Sequence, residues 1–345
     1  MTTRIAINGF GRIGRNVLRA FIETTNSASK DIGKDIDIVA VNATAPVADC
    51  AHLLRYDSIH GRLSQPIAVK GTGLAIGNGG KVIPFTNTRT IADLDWAAHK
   101  TDIVLECTGA FNTRKAAAAH LKQGAKRVLV SAPCKKADFT AVYGVNHQHL
   151  KPAHAIVSNA SCTTNCFAPL AKVLDEAVGI ETGFMTTIHS YTSDQRILDN
   201  RHKDLYRGRG AATNIVPTTT GAARAVEMVL PQLKGRLDGV AMRVPTPNVS
   251  VVDFTFTASH PTNSQALNAA LQEAAKTPDL NGVLATTDEP LVSSDFNHDP
   301  HSAVVHLDQT RVVGERFCRT LAWYDNEWGF CMRMLDMAQV MGQQL

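Results

Sequence analysis

The stretch RIAINGFGRIGRNVLRAFIETT, residues 4–25, decides the fold class. Arg4 to Asn8 form a short apolar run that reads as a buried strand, and RNVLRAFIETT reads as a helix. Between them Gly9-Phe10-Gly11-Arg12-Ile13-Gly14 matches G-x-G-x-x-G. The string alone is weak, since glycines are common, but here it closes a strand and opens a helix, the context that dinucleotide binding requires. Gly9 permits the tight turn, Gly11 lets backbone approach a pyrophosphate, and Gly14 allows close helix–strand packing. The helix N-terminus adds free N–H groups and positive potential for the anion.

Further along, Asp35 to Asn42, Asp102 to Cys107 and Lys126 to Ser131 read as strands of the same kind, with an alanine-rich helix over Thr113 to Gln123. Asn26 to Lys34 reads as a polar surface loop. Strands alternating with helices predict an α/β domain with a parallel, doubly wound sheet. After Ser158 the pattern changes. Longer alternating strands are predicted at Gly183 to His189, Gly239 to Val244 and Val249 to Ala258, in a second, α+β domain with a mainly antiparallel sheet. Ser193 to Thr220 is long, polar and basic with little periodicity, and Trp328 to Leu345 reads as a helix returning to the first domain.

The totals limit the function classes. At 345 residues the chain suits two domains. A net charge of +4 without a basic run argues against nucleic acid as a partner and leaves a modest bias toward phosphorylated metabolites. No apolar stretch is long enough to cross a bilayer and MTTRIAINGF carries no secretory pattern, so no membrane role and a cytoplasmic location are expected. Seven cysteines, an odd number, read as reduced thiols.

One of those thiols stands out. Ser161-Cys162-Thr163-Thr164-Asn165-Cys166 follows an apolar strand end and precedes a helix-like run, so Cys162 lies near a helix N-terminus that favours thiolate. Nearby hydroxyls and free N–H groups suit an oxyanion or phosphate. Cys166, one turn on, reads as a small core residue, and no second Cys/His pair of matching spacing points to a metal. His189 ends the strand GFMTTIH, where general acid–base work and a plain structural role are both open.

The second strand ends in Val41-Asn42-Ala43-Thr44, without the acidic residue that usually accepts the adenosine ribose hydroxyls. Its absence removes a charge that would repel a 2′-phosphate, so NADP is favoured over NAD.

With SNASCTTNC at Ser158 to Cys166, the strings INGFGRIGRN, LLRYDSIHGR, CTGAF, HSYTSDQRILD, PTTTGAA, RVPTPNVSVVD and WYDNEWGF resemble, in order and over essentially the whole chain, the phosphorylating glyceraldehyde-3-phosphate dehydrogenase family. The resemblance implies a Rossmann domain, residues 1–160 with 328–345, interrupted by a catalytic domain, residues 161–327. It implies oxidative phosphorylation of glyceraldehyde 3-phosphate to 1,3-bisphosphoglycerate, with Cys162 as nucleophile and His189 as base. The implied site for the substrate's own phosphate is Thr192, Asp194 and Arg243, with Asp194 orienting the arginine. Ser161, Thr163, Thr220, Gly221 and Arg207 are implied for attacking inorganic phosphate. Arg12, Ile13, Ser131 and Asn326 match cofactor-contacting positions, and a homotetramer is implied, with Ser193 to Thr220 resembling a loop that reaches a neighbouring subunit.

Four positions depart from the family's usual pattern. Ala43 replaces an aspartate, and Asn200-Arg201 replaces a Leu-Pro pair, which makes room and offers Arg201 to a 2′-phosphate. Tyr206 stands where a second arginine is common and Phe330 where tyrosine is usual. Phe330 and DFNHDPHSA resemble erythrose-4-phosphate dehydrogenases, the alternative reading, whereas the retained Thr192 favours the three-carbon substrate.

Overall fold

A computed structural model describes residues 2–25, 35–77 and 80–345. The polar loop expected over Asn26 to Lys34 lies outside the described residues. The chain divides into two compact units. The first comprises Met1–Tyr143, His147–Ala160 and Cys331–Leu345; the second comprises Gly144–Asn146 and Ser161–Phe330.

In the first unit the opening strand is Thr3–Asn8 and its helix is Arg12–Thr25. Ile5, Ala6 and Ile7 are wholly buried because helices cover both faces of a parallel sheet. Thr3–Asn8 pairs in parallel with Ile36–Asn42 on one side and Ile103–Glu106 on the other. Beyond the latter come Arg127–Val130, Ile156–Ser158 and Phe139–Thr140, all parallel. On the other flank Val82–Thr86 continues the parallel order, and the antiparallel strands Gly73–Ile76 and Ile67–Lys70 finish the nine-stranded sheet. The chain reverses direction of travel across the sheet at the opening strand, so its carboxyl end, Asn8-Gly9, lies where α/β sheets bind ligands.

The alanine-rich helix differs from expectation. It is two short helices, Arg114–Ala117 and Ala119–Lys122, separated at Ala118, whose φ of −61° and ψ of −13° tighten the turn. From Cys331 onward the last helix, Trp328–Gly342, belongs to the first unit. It is held there by buried Arg127, which donates to Met341 O while its other nitrogens donate to His154 O and Lys151 O.

The second unit is built on an eight-stranded sheet. Ile180–Ser190 at its centre runs antiparallel to Ser250–Ala258, which runs antiparallel to Phe317–Tyr324. Two pairs are parallel: Ile180–Ser190 with Leu237–Val244, and Leu284–Thr287 with Ala303–His306. One face packs on the helix Cys162–Val178, where Phe167 meets Phe254 edge-on at 4.8 Å and Phe254 stacks on Phe256 at 5.1 Å. Burying a phenylalanine of this kind contributes about 1.5–3 kcal/mol. The opposite face leaves Phe184, Val240, Met242 and Phe317 exposed. No helix among the described residues is long and apolar enough to cross a membrane.

Candidate active site

The carboxyl ends of the first unit's strands open onto a cleft of about 470 Å³. Gly9, Gly11, Asn42 and Ala43 line it, together with Thr88 and Arg89. Each glycine has a separate steric reason. Gly9 has a φ of +94° and presses on Thr108; a Cβ on Gly14 would stand 2.0 Å from Gly9 O; a Cβ on Gly11 would meet open space. Gly11 therefore leaves room for a ligand, while Gly9 and Gly14 serve the turn itself. This turn before a helix N-terminus fits a dinucleotide pyrophosphate.

The other expected cofactor positions divide. Arg12 and Ile13 begin the helix and Ser131 follows the strand Arg127–Val130, but none of them lines this cleft. Arg12 forms a fork with Asp57, at 2.5 and 3.3 Å. Burial alone would raise the Asp57 carboxyl; the Arg12 fork and the N–H groups of His60 and Ile59 outweigh it and hold it at about 2. The Asn42 amide bonds Asn8, Thr86 and Thr88, so it shapes the cleft wall. Arg201 lies exposed in the second unit. Sequence reading missed Arg89, which follows a strand without any motif and makes no hydrogen bond or ion pair among the described residues.

Cys162 is the first residue of the helix Cys162–Val178. Ser161 caps it, its Oγ accepting from Thr164 N at 3.1 Å. Just before, Ala160 takes a φ of +55°, left-handed backbone that costs a non-glycine residue about 1–3 kcal/mol and turns the chain sharply into the helix. The free first-turn N–H groups thereby lie beside the Cys162 sulfur.

His189, next to last in the strand Ile180–Ser190, brings Nε2 within 3.5 Å of Cys162 Sγ. Its Nδ1 lies 2.7 Å from Ser190 O, which can only accept. The carbonyl is the nearer neighbour of Nδ1, and Arg243 Nη1, also close to Nδ1, has that carbonyl as its own acceptor; the ring proton is assigned to Nδ1 on this ground, which leaves Nε2 a lone pair toward the thiol. Arg243 Nη1 donates to the same carbonyl at 2.9 Å and stands 2.9 Å from Nδ1. Burial first, then this guanidinium, lowers His189 to about 3. Burial also pushes the Cys162 thiol up, opposed by Arg243 and by the Thr163 hydroxyl and N–H. Burial thus favours the neutral forms of both partners, a base facing an acid, while Arg243 favours the ionised sulfur.

The polar groups around this pair do not all stand as expected. Thr192 Oγ1 lies 3.5 Å from Arg243 Nη1; Asp194 acts on that arginine as a nearby negative charge but makes no hydrogen bond or ion pair with it among the described residues. Asp194 instead accepts from Arg207 at 2.6 Å and lies 3.5 Å from His202, because the segment after Thr192 folds back on Arg207. The Arg243 guanidinium is held by the Ser190 carbonyl, and its buried Nε has no partner among the described residues. Arg207 also donates to Thr218 Oγ1 and Thr219 O, beside Thr220 and Gly221, which lead into the helix Ala222–Val229. The Thr163 hydroxyl meets Tyr324 Oη at 2.9 Å and also acts on the Cys162 sulfur, so it lies between the buried tyrosine and the thiol. Asn326 Oδ1 accepts from Ser190 and Ser250, both at 2.9 Å, which leaves its Nδ2 as the outward donor. Tyr324, Ser190 and Ser250 carried no signal apart from their place in quoted strings.

A glycine-turn dinucleotide cleft and a thiol–imidazole pair backed by arginines define a nicotinamide-dependent dehydrogenase that works through a covalent thiol adduct. Known families agree. Residues 3–114 match the model described as glyceraldehyde 3-phosphate dehydrogenase, NAD binding domain, and residues 161–326 match its C-terminal domain. The chain is 58% identical over 345 residues, the full length of both, to the glyceraldehyde-3-phosphate dehydrogenase of Cereibacter sphaeroides. It is 55% identical over 343 residues, 99% of each chain, to that of Xanthobacter flavus, and 50% identical over 339 residues, 98% of each, to that of Geobacillus stearothermophilus. The chain belongs to the glyceraldehyde-3-phosphate dehydrogenase family.

Proposed function

We propose that this chain converts glyceraldehyde 3-phosphate and inorganic phosphate reversibly to 1,3-bisphosphoglycerate through a thioester on Cys162. The observation that carries the reading is Cys162 Sγ at a capped helix N-terminus, 3.5 Å from the lone pair of His189 Nε2. His189 takes the thiol proton as sulfur adds to the aldehyde carbon, returns it to the new oxygen to complete the hemithioacetal, and takes that hydroxyl proton back as hydride leaves. The dinucleotide, when bound, accepts the hydride that leaves that carbon. The resulting thioester keeps its carbonyl reactive; a phosphate oxygen attacks it, the C–S bond breaks, and the acyl phosphate leaves with Cys162 restored. Arg243 and Thr192 suit the substrate's phosphate, and Arg207, Thr220 and the N–H groups of Thr163 and Gly221 suit the attacking one.

NADP is the favoured cofactor. No carboxylate lines the cleft among the described residues; Ala43 is buried at the strand end, Thr44 is exposed, and Arg89 offers a cation. NADP use agrees with work in the reductive, gluconeogenic direction. The exposed apolar sheet face of the second unit supports a homotetramer, and the thiol chemistry suits the reducing cytoplasm.

The test is an assay with glyceraldehyde 3-phosphate or erythrose 4-phosphate, each with NAD or NADP, with and without phosphate. Phosphate-dependent NADP reduction with the three-carbon aldehyde is expected, and Cys162→Ser should abolish it. Oxidation independent of phosphate would sink the acyl-phosphate reading. A better rate with erythrose 4-phosphate would move the substrate to the four-carbon aldehyde, and a large preference for NAD would overturn the cofactor assignment.

A further inference from the structure

Beneath the first unit's cleft runs a chain of buried polar side chains that the proposed reaction does not use. Trp96, Glu106 and His120 are each at most 1% exposed. The Trp96 indole N–H can only donate, and it meets His120 Nδ1 at 3.0 Å. That nitrogen therefore holds a lone pair, and the ring proton sits on Nε2. From there it is donated to Glu106 Oε2 at 3.0 Å, beside the amide of Asn8 at 2.6 Å. The other carboxylate oxygen accepts from the Thr108 N–H at 2.8 Å and from the Thr108 hydroxyl. Four donors thus converge on two acceptor oxygens. An amide in place of the carboxylate would set donor against donor on one side or the other, and His120 cannot switch tautomer to relieve it while Trp96 donates to Nδ1.

The same carboxylate ties together the loops that form the cleft. Asn8 ends the first strand, and its Oδ1 accepts from Asn42, which ends the second, at 2.8 Å. Thr108 opens the turn after Ile103–Glu106 and presses on Gly9, where a Cβ would stand 2.7 Å from Thr108 N. Asn8, Gly9, Asn42 and Thr108 all line the cleft. We infer that Glu106, with the His120 tautomer set by Trp96, is a positioning residue that pre-organises the dinucleotide cleft. It holds three strand ends in place before the ligand arrives, so that their ordering does not subtract from affinity. The inference rests on the reading of that cleft as the dinucleotide site.

The test is direct titration of the full-length protein with NADP and with NAD, alongside steady-state kinetics. Glu106→Gln should raise the dinucleotide dissociation constant about tenfold or more. Its kcat at saturating dinucleotide should stay within about threefold and its aldehyde KM should not move, because the second unit's chemistry is untouched. His120→Gln, which keeps a donor toward Glu106, should bind dinucleotide more tightly than His120→Leu, which has none. Unchanged affinity in Glu106→Gln, or equal affinities in the two His120 variants, overturns the inference. So does a 15N spectrum of the ring showing His120 protonated at Nδ1. Should Glu106→Gln fail to fold, the His120 pair and the spectrum still decide. Failure of the unmodified protein to bind either dinucleotide would count against the cleft assignment instead.

Discussion

At Cys162 two influences oppose each other. Burial raises the thiol, while the Arg243 guanidinium favours its ionised form. The same arginine disfavours a second positive charge on His189, so it supports the nucleophile and keeps the base neutral at once. In the free protein, alkylation of Cys162 by iodoacetamide should therefore speed up as pH rises into the alkaline range. Arg243→Gln removes the cation that lowers the thiol and should move the midpoint of that profile upward; a midpoint that stays or falls would remove Arg243 from this role. Ala43 carries the cofactor prediction. Ala43→Asp places a carboxylate at the cleft wall and should raise KM for NADP about tenfold or more, with little change for NAD. Kinetics with both cofactors check it.

At the scale of elements, the glycine turn separates packing from binding. A Cβ at position 14 would meet Gly9 O and also Ile7 Cγ2, at 3.2 Å, both parts of the packed turn. Gly14→Ala should therefore cost about 1–3 kcal/mol in denaturant unfolding. Gly11→Ala meets no protein atom, so it should unfold like the parent and yet bind dinucleotide more weakly, because its Cβ takes ligand space. Equal stability loss in the two variants would contradict this division. The helix at Cys162 was readable as a helix from its string, and the cap at Ser161 follows from residue type. The partnership of Asp194 was not: which arginine it takes depends on how residues 193–220 fold back, and that segment has no periodicity from which to argue.

At the scale of the molecule, the second unit's sheet is covered on one face and open on the other. Phe184, Val240 and Met242 lie on adjacent strands of the open face, each more than a third exposed. An apolar surface of that kind favours association with further copies of the chain. Val240→Lys should shift the sedimentation of the protein toward smaller species while its unfolding profile stays close to that of the parent. Unchanged sedimentation would count against association through this face.

The sequence by itself determined the α/β class, because a parallel strand buried on both faces must be apolar throughout and the glycine spacing after it obeys local sterics. It also singled out Cys162 and His189 as the candidate pair, once a whole set of strings agreed in order. Only the tertiary structure decided the protonation geometry: that His189 offers Nε2 to the sulfur, that Arg243 shares its carbonyl, and that Thr163 turns its hydroxyl to Tyr324. The buried chain from Trp96 to Asn8 and the cation at Arg89 also emerged only there. Hydrogen-bond partners are chosen by side chains that lie far apart in the chain, and no local pattern of residues records that choice.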